Sequence, residues 1–255
     1  MGLFGKNGGV GAEPSVVEVD STAYILNNSY SDFVTQHTIY IQFMCLVGYT
    51  YVHGVKVFKA VDPKSSIPFK FAYLVMACTG GGILVPIFLN KIPVPIASDV
   101  YVVAITVSFL LHQYLPIVRE VYKLSTILQA LFSILYEITR AGVVCKFTKI
   151  AATTLAPSAF SFPLFGPIIC GTIAGCGGAF FPLSKGLDPV KIGMPLPIQT
   201  AFIGATAYHL FINIMGAEIV DAAKKGQVLI STFFIFVSLK GLLFQDQPKP
   251  KAKAE

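Results

Sequence analysis

Apolar residues in this 255-residue chain are gathered into seven separate stretches, and that clustering constrains the fold more than any other feature. The stretches run over residues 37–58, 68–90, 97–117, 124–145, 161–184, 195–216 and 227–244. A helix needs about 20 consecutive apolar residues to cross the hydrocarbon core of a bilayer. Mean hydropathy is +0.69 and only 13% of residues are charged. A soluble domain carries about 25% charged residues, so the chain reads as an all-α, polytopic membrane protein. Loops rich in Pro, Lys and Asp separate the stretches, for example residues 62–66 and 187–191.

The net charge of +6 is not a nucleic-acid footprint. The basic residues sit between spans and in the tail, where they act as topology signals, and no aromatic-basic recognition module accompanies them. With seven spans the termini lie on opposite sides. One side collects Lys56, Lys59, Lys64, Lys70, Arg119, Lys123, Lys185, Lys191, Lys240, Lys249, Lys251 and Lys253. The other collects only Lys6, Lys91, Lys146, Lys149, Lys224 and Lys225. The excess places the C-terminus in the cytosol and the N-terminus in the lumen or outside. Lys251 and Lys253, fifth and third from the end, resemble the dilysine retrieval signal of endoplasmic-reticulum membrane proteins.

Residues 1–32 lack the apolar core of a signal peptide and read as a flexible luminal segment. Lys6 stands where N-myristoylation requires Ser or Thr. Residues 245–255 read as a disordered cytosolic tail.

The second and fifth spans carry the same signature. Gly80, Gly81, Gly82 and Pro86 lie in one; Gly175, Gly177, Gly178 and Pro182 lie in the other. Gly81, Gly82 and Pro86 map onto Gly177, Gly178 and Pro182 at one offset of 96 residues. The two spans are three apart, so they cross the bilayer in opposite directions. That parity implies two inverted three-helix repeats, residues 33–120 and 121–220, with a seventh helix over 221–244. Gly/Pro-interrupted helices at matching positions of inverted repeats point to a central site. Glycines weaken a helix by about 1 kcal/mol each relative to Ala, and a proline four residues on removes a backbone donor. Groups freed this way must face protein or a wet cavity. Two readings stay open: the glycines line a path, or they only let helices pack closely.

The fourth span places Glu137 and Arg140 three residues apart on one helical face. An ionisable residue at this depth normally marks a cavity, an ion path or a ligand; the alternative is a structural ion pair. Lys146 and Lys149 extend the same helix towards the lumen. His112 and His209 are near-equivalent in the repeat and read as neutral residues bonded to backbone. The five cysteines show no disulfide or metal-ligand spacing, and no metal site or nucleophile-base set appears. The chain is not expected to be an enzyme or to carry a cofactor of its own.

Together, Gly80 through Leu84, Glu137 through Arg140, and Gly175 through Gly178 give a sequence that resembles the trimeric intracellular cation channels over residues 30–245. The resemblance implies a homotrimer of the endoplasmic or sarcoplasmic reticulum with a pore inside each subunit. It implies passage of potassium and other monovalent cations as counter-ions during calcium release. It also implies glycine-kinked second and fifth helices beside the pore, and a fourth helix that holds a phosphatidylinositol bisphosphate headgroup. Arg140 carries over from the family motif and, with Lys146 and Lys149, leaves a reduced basic surface for that headgroup; Glu137 and Arg140 are the gating candidates. The family lysine before Glu137 is Tyr136 here, and the basic residue three past the arginine is Val143. A small secondary transporter and a non-conducting scaffold or lipid-binding protein are the rival functions.

Overall fold

The computed structural model describes residues 20–157, 159–181 and 186–244. Ten α-helices follow one another among the described residues, with no strand. They are α1 (Ser29–Val34), α2 (Ile39–Ala60), α3 (Ile67–Phe88), α4 (Val94–Ala97), α5 (Asp99–Tyr114), α6 (Pro116–Leu124), α7 (Thr126–Thr154), α8 (Phe165–Cys176), α9 (Leu196–Ile214) and α10 (Ala222–Leu243). The helix starts are written in the sequence. Thr38, Ser66 and Ser125 each accept a hydrogen bond from the backbone N–H three residues on, which caps α2, α3 and α7. Pro68, Pro116 and Pro197 occupy the first turns of α3, α6 and α9, where a missing N–H costs nothing.

The chain is a multi-pass membrane protein. Three helices, α3, α7 and α10, are each long and apolar enough to cross a bilayer, and the bent pair α5–α6 passes the same test only when its two arms are counted as one span. Among the described residues each of the seven apolar stretches holds a helix, but two differ from the expected straight spans. The third ends at Leu115, which Pro116 forces out of the helical region to φ −124°, ψ 63°. The chain turns by 92° there into α6. In the fifth, α8 stops at Cys176 and tightens into a 3-10 turn over Gly177–Phe180. The whole of Phe165–Phe180 is too short, at about 24 Å, to match a hydrocarbon core of about 30 Å.

Helix α7 is the central post. Its 29 residues extend about 43 Å, and α2, α8, α9 and α10 all pack on it. Ala141, Val144 and Cys145 join Ala201, Ala205, Tyr208 and Phe234 on one side. Leu135 and Ile138 join Val34, Cys45 and Val228 on another.

The segment before α2 is described from Asp20 and lies against α10. From Asp20 onward it is tied down. Lys225 of α10, 1% exposed, donates to Asp20 Oδ2 at 2.6 Å and to Thr22 Oγ1 at 2.7 Å. Tyr30 shares a 2.7 Å hydrogen bond with Thr232, and Val34 is fully buried. A buried ammonium needs a counter-charge, and the N-terminal segment supplies it.

Candidate functional site

The two glycine motifs meet. A Cβ on Gly81 would strike the carbonyl oxygens of Ile173 and Ala174, and one on Gly177 would strike Gly81 N and Cα. A Cβ on Gly80 would lie 2.7 Å from both Gly177 O and Gly178 N, and one on Gly178 would strike the Ala77 carbonyl. Helix α3 thus crosses the end of α8 backbone to backbone. Gly82 makes room for α4, with Val94 Cγ2 2.9 Å from its would-be Cβ. Gly175 packs against Val144 and Ala201 of α7 and α9.

The motifs differ in backbone form. Helix α3 runs unbroken through Gly80–Gly82, with Pro86 in its last turn, so the expected break there is absent. Pro86 lacks the N–H that would bond to the Gly82 carbonyl, but the helix ends two residues later and little is lost. The second motif does break, at Gly177. Pro182, its expected proline, lies outside the described residues.

One cavity lies beside this crossing, and a second adjoins the first. The first, about 310 Å³, is lined by Tyr49, His53 and Lys56 of α2, Ala77 of α3, Tyr136 of α7, and the broken backbone Ala174–Gly178. The second, about 370 Å³, is lined by Glu137 and Arg140 of α7, Pro197 and Thr200 of α9, and Phe234 and Ser238 of α10. Lys56, Tyr136 and Pro197 line both. Tyr136 is the partition: its ring stacks on Tyr49 at 5.0 Å and 17°, with the Lys56 ammonium 5.0 Å above its centroid.

Arg140 is fixed on every side. Its Nε lies 2.9 Å from Glu137 Oε2, a charge contact off the hydrogen-bonding line. Nη2 donates to Thr200 Oγ1 at 2.6 Å, and the guanidinium lies 4.3 Å from the Phe234 ring centroid. The side chains of Arg140 and Glu137 are 3% and 9% exposed. The pair is therefore both of the things the sequence left open: an internal ion pair and a cavity wall. Pairing cancels the arginine's charge where it faces the cavity.

Lys146 and Lys149 do not join this group. Both are exposed, while Val144, Cys145, Phe147 and Thr148 face inward. His112 and His209 each place Nε2 against a backbone carbonyl, of Tyr51 at 3.0 Å and Pro163 at 2.7 Å. Among the described residues no group of three His, Cys, Asp or Glu could hold a metal ion.

Sequence reasoning missed the α2 wall. Tyr49, His53 and Lys56 follow one another at helical spacing and form one face. That polar stripe in an apolar stretch was the available signal. His53 Nε2 is buried without a hydrogen-bond partner.

No protein-family model matches the sequence, and no curated protein matches it. Solved structures do match. A trimeric intracellular cation channel from C. elegans determined without Ca2+ aligns with a TM-score of 0.66 at 15% identity, over 89% of this chain and 99% of that one. The C. elegans channel with bound Ca2+ gives 0.66 at 18%, over 86% and 97%. A TRIC counter-ion channel studied for its activity in calcium release gives 0.63 at 16%, over 85% and 100%. Across most of its length, with its crossed glycine motifs and central charged helix, this chain has the fold of the trimeric intracellular cation channels.

Proposed function

We propose that this chain is a divergent member of that family and a monovalent cation channel, passing potassium as a counter-ion during calcium release. In this reading it is a homotrimer of the endoplasmic or sarcoplasmic reticulum membrane with one pore in each subunit. Its apolar stretches make seven spans, arranged as two inverted three-helix repeats and a last helix. The N-terminus is luminal and the C-terminus cytosolic. The likeness to channels described as trimeric and cation-conducting supports this.

One observation carries the reading. Two adjoining cavities run along α7, with the neutralised Glu137–Arg140 pair in one wall and the α3–α8 glycine crossing closing one end. A cation moving along them meets the faces of Tyr49 and Tyr136, the partnerless His53 Nε2, and the freed backbone at Gly177. The crossing is the gate: backbone meets backbone there beside the Phe181 ring, and a small separation of the two helices opens it.

Lys56 and Arg140 also leave a reduced basic surface for a phosphatidylinositol bisphosphate headgroup. Tyr136 takes the place of a third cation there, and Lys146 and Lys149 contribute nothing to it.

The test is single-channel recording of wild type and Arg140→Ala. Removing the guanidinium leaves Glu137 uncompensated at the cavity wall, so conductance or open probability changes. Unchanged currents would remove Arg140 from the path. Saturable, gradient-coupled uptake without steps would replace the channel by a transporter, and no flux at all would leave a scaffold.

A further inference from the structure

A third cavity, of about 170 Å³, shares only Val57 with the first and lies between the end of α2, the loop after it, α3, α5 and α6. Its polar lining is Lys70, His112, Gln113 and Arg119, with no acidic residue. We propose that it binds the phosphate monoester of an anionic membrane lipid headgroup.

The charges argue for it first. Lys70 is the fourth residue of α3 and Arg119 the fourth residue of α6. A cation in the first turn of a helix opposes the macrodipole, so neither charge is placed to favour its own helix. Neither has a carboxylate partner among the described residues. The neighbouring Glu120 is taken by Lys123 at 2.8 Å, which also holds its carboxyl below the usual range. Lys70 gives one N–H to the Pro63 carbonyl at 2.7 Å and keeps two. Arg119 rests on the Phe58 ring at 5.1 Å, and its buried Nε has no partner. An anion bound between them offsets both charges and both helix ends at once.

His112 adds a buried, unpartnered polar atom to the lining residues. It is 1% exposed. Its Nε2 faces the Tyr51 carbonyl, so that nitrogen carries the proton and Nδ1 is left as an acceptor. Nδ1 is buried without a partner. A phosphodiester carries one negative charge, whereas a phosphate monoester carries about −1.5 to −2 near pH 7 and so matches the two cations better.

The position supplies the lipid. Helix α6 lies across the end of α5 at 92°, with Ile117, Val121 and Leu124 exposed on its apolar side and Arg119, Glu120 and Lys123 between them. Such a helix lies in the plane of the membrane interface, which sets the cavity at headgroup level. The volume is below that of pockets for drug-sized ligands, which begin at about 300 Å³, and suits a single headgroup.

The experiment titrates the purified full-length protein in detergent with dioctanoyl phosphatidic acid, dioctanoyl phosphatidylglycerol and glycerol phosphate, read by native mass spectrometry. Phosphatidic acid is expected to bind best. Lys70→Gln weakens it about tenfold and Lys70→Gln/Arg119→Gln further, each lost charge-assisted bond accounting for about one decade. Lys64→Gln, outside the cavity, changes nothing. Glycerol phosphate binding as well as the lipid would assign the site to a soluble phosphate and overturn the lipid source. Equal binding of phosphatidylglycerol would overturn the preference for a phosphate monoester. Wild-type affinity in the double variant, with unchanged elution and melting, would overturn the site. Arg140→Ala leaves this binding intact, so failure here and failure of the channel reading are separate results.

Discussion

Gly81→Ala puts one methyl group into the place where α3 crosses the end of α8. Its Cβ would strike the Ile173 and Ala174 carbonyl oxygens and lie 2.7 Å from the Ala174 carbonyl carbon. Ordinary contact there begins at 3.4 Å, so the helices must part by at least about 0.7 Å. The obstacle is backbone, and no rotamer change relieves it. Overpacking of this kind costs about 1–3 kcal/mol, and replacing a mid-helix glycine by Ala returns about 1 kcal/mol. The net loss is up to about 2 kcal/mol, or up to about 8 °C in Tm for a chain of this size. Gly142→Ala is the matched control: it is also mid-helix, and its Cβ meets only Gln227 Nε2 at 3.5 Å. That variant keeps the gain of up to about 1 kcal/mol without the clash. Melting of the detergent-purified proteins measures both, and bilayer recording should show a raised open probability for Gly81→Ala as the crossing is wedged apart. If Gly81→Ala melts at or above the Gly142→Ala temperature with wild-type gating, the backbone crossing is not the tight point described.

Three further outcomes are expected. Arg140→Ala lowers stability by about 3–5 kcal/mol, because it strands a buried carboxylate. Glu137→Gln/Arg140→Ala recovers much of that loss in the same melting assay, and equal losses would show that the pair is not coupled. Lys225 holds the Asp20 carboxyl at about 2, below its ordinary 3.8. The clasp therefore stabilises fully above about pH 4 and is lost as pH falls through about 2. Asp20→Asn should melt below wild type at pH 7, with the gap closing towards pH 2; a gap independent of pH refutes the clasp. Tyr136→Lys restores the cation absent between Lys56 and Arg140, and is expected to increase retention on vesicles containing phosphatidylinositol bisphosphate. Unchanged retention removes the headgroup from this cavity.

The periodic and compositional features were legible from sequence. Apolar clustering located every long helix to within a few residues, except that α7 runs on to Thr154, because a central post extends beyond the hydrocarbon. The turn at Leu115–Pro116 was signalled by the proline, yet α6 was hidden because its alternating charges read as loop. The duplicated glycines were visible as a pair at a fixed offset, but not that they touch each other. A contact between two small residues leaves no mark at either site alone. It also explains why only one motif breaks: α3 keeps its helix by ending just after Pro86, whereas Gly177 tightens the backbone against α3. Lys56 was read as a topology charge, and only the fold shows it standing over Tyr136, beside the position where the family lysine is missing. Lys146 and Lys149 share a helix with Arg140 but not its face. The 100° rotation per residue sends them outward.

The central claim is that cations pass along the cavities beside α7. Purified protein in a planar bilayer, under a potassium gradient, tests it most directly. Discrete current steps that reverse near the potassium equilibrium potential are the predicted result. A silent bilayer, or steps that reverse near the potential of the accompanying anion, would contradict it.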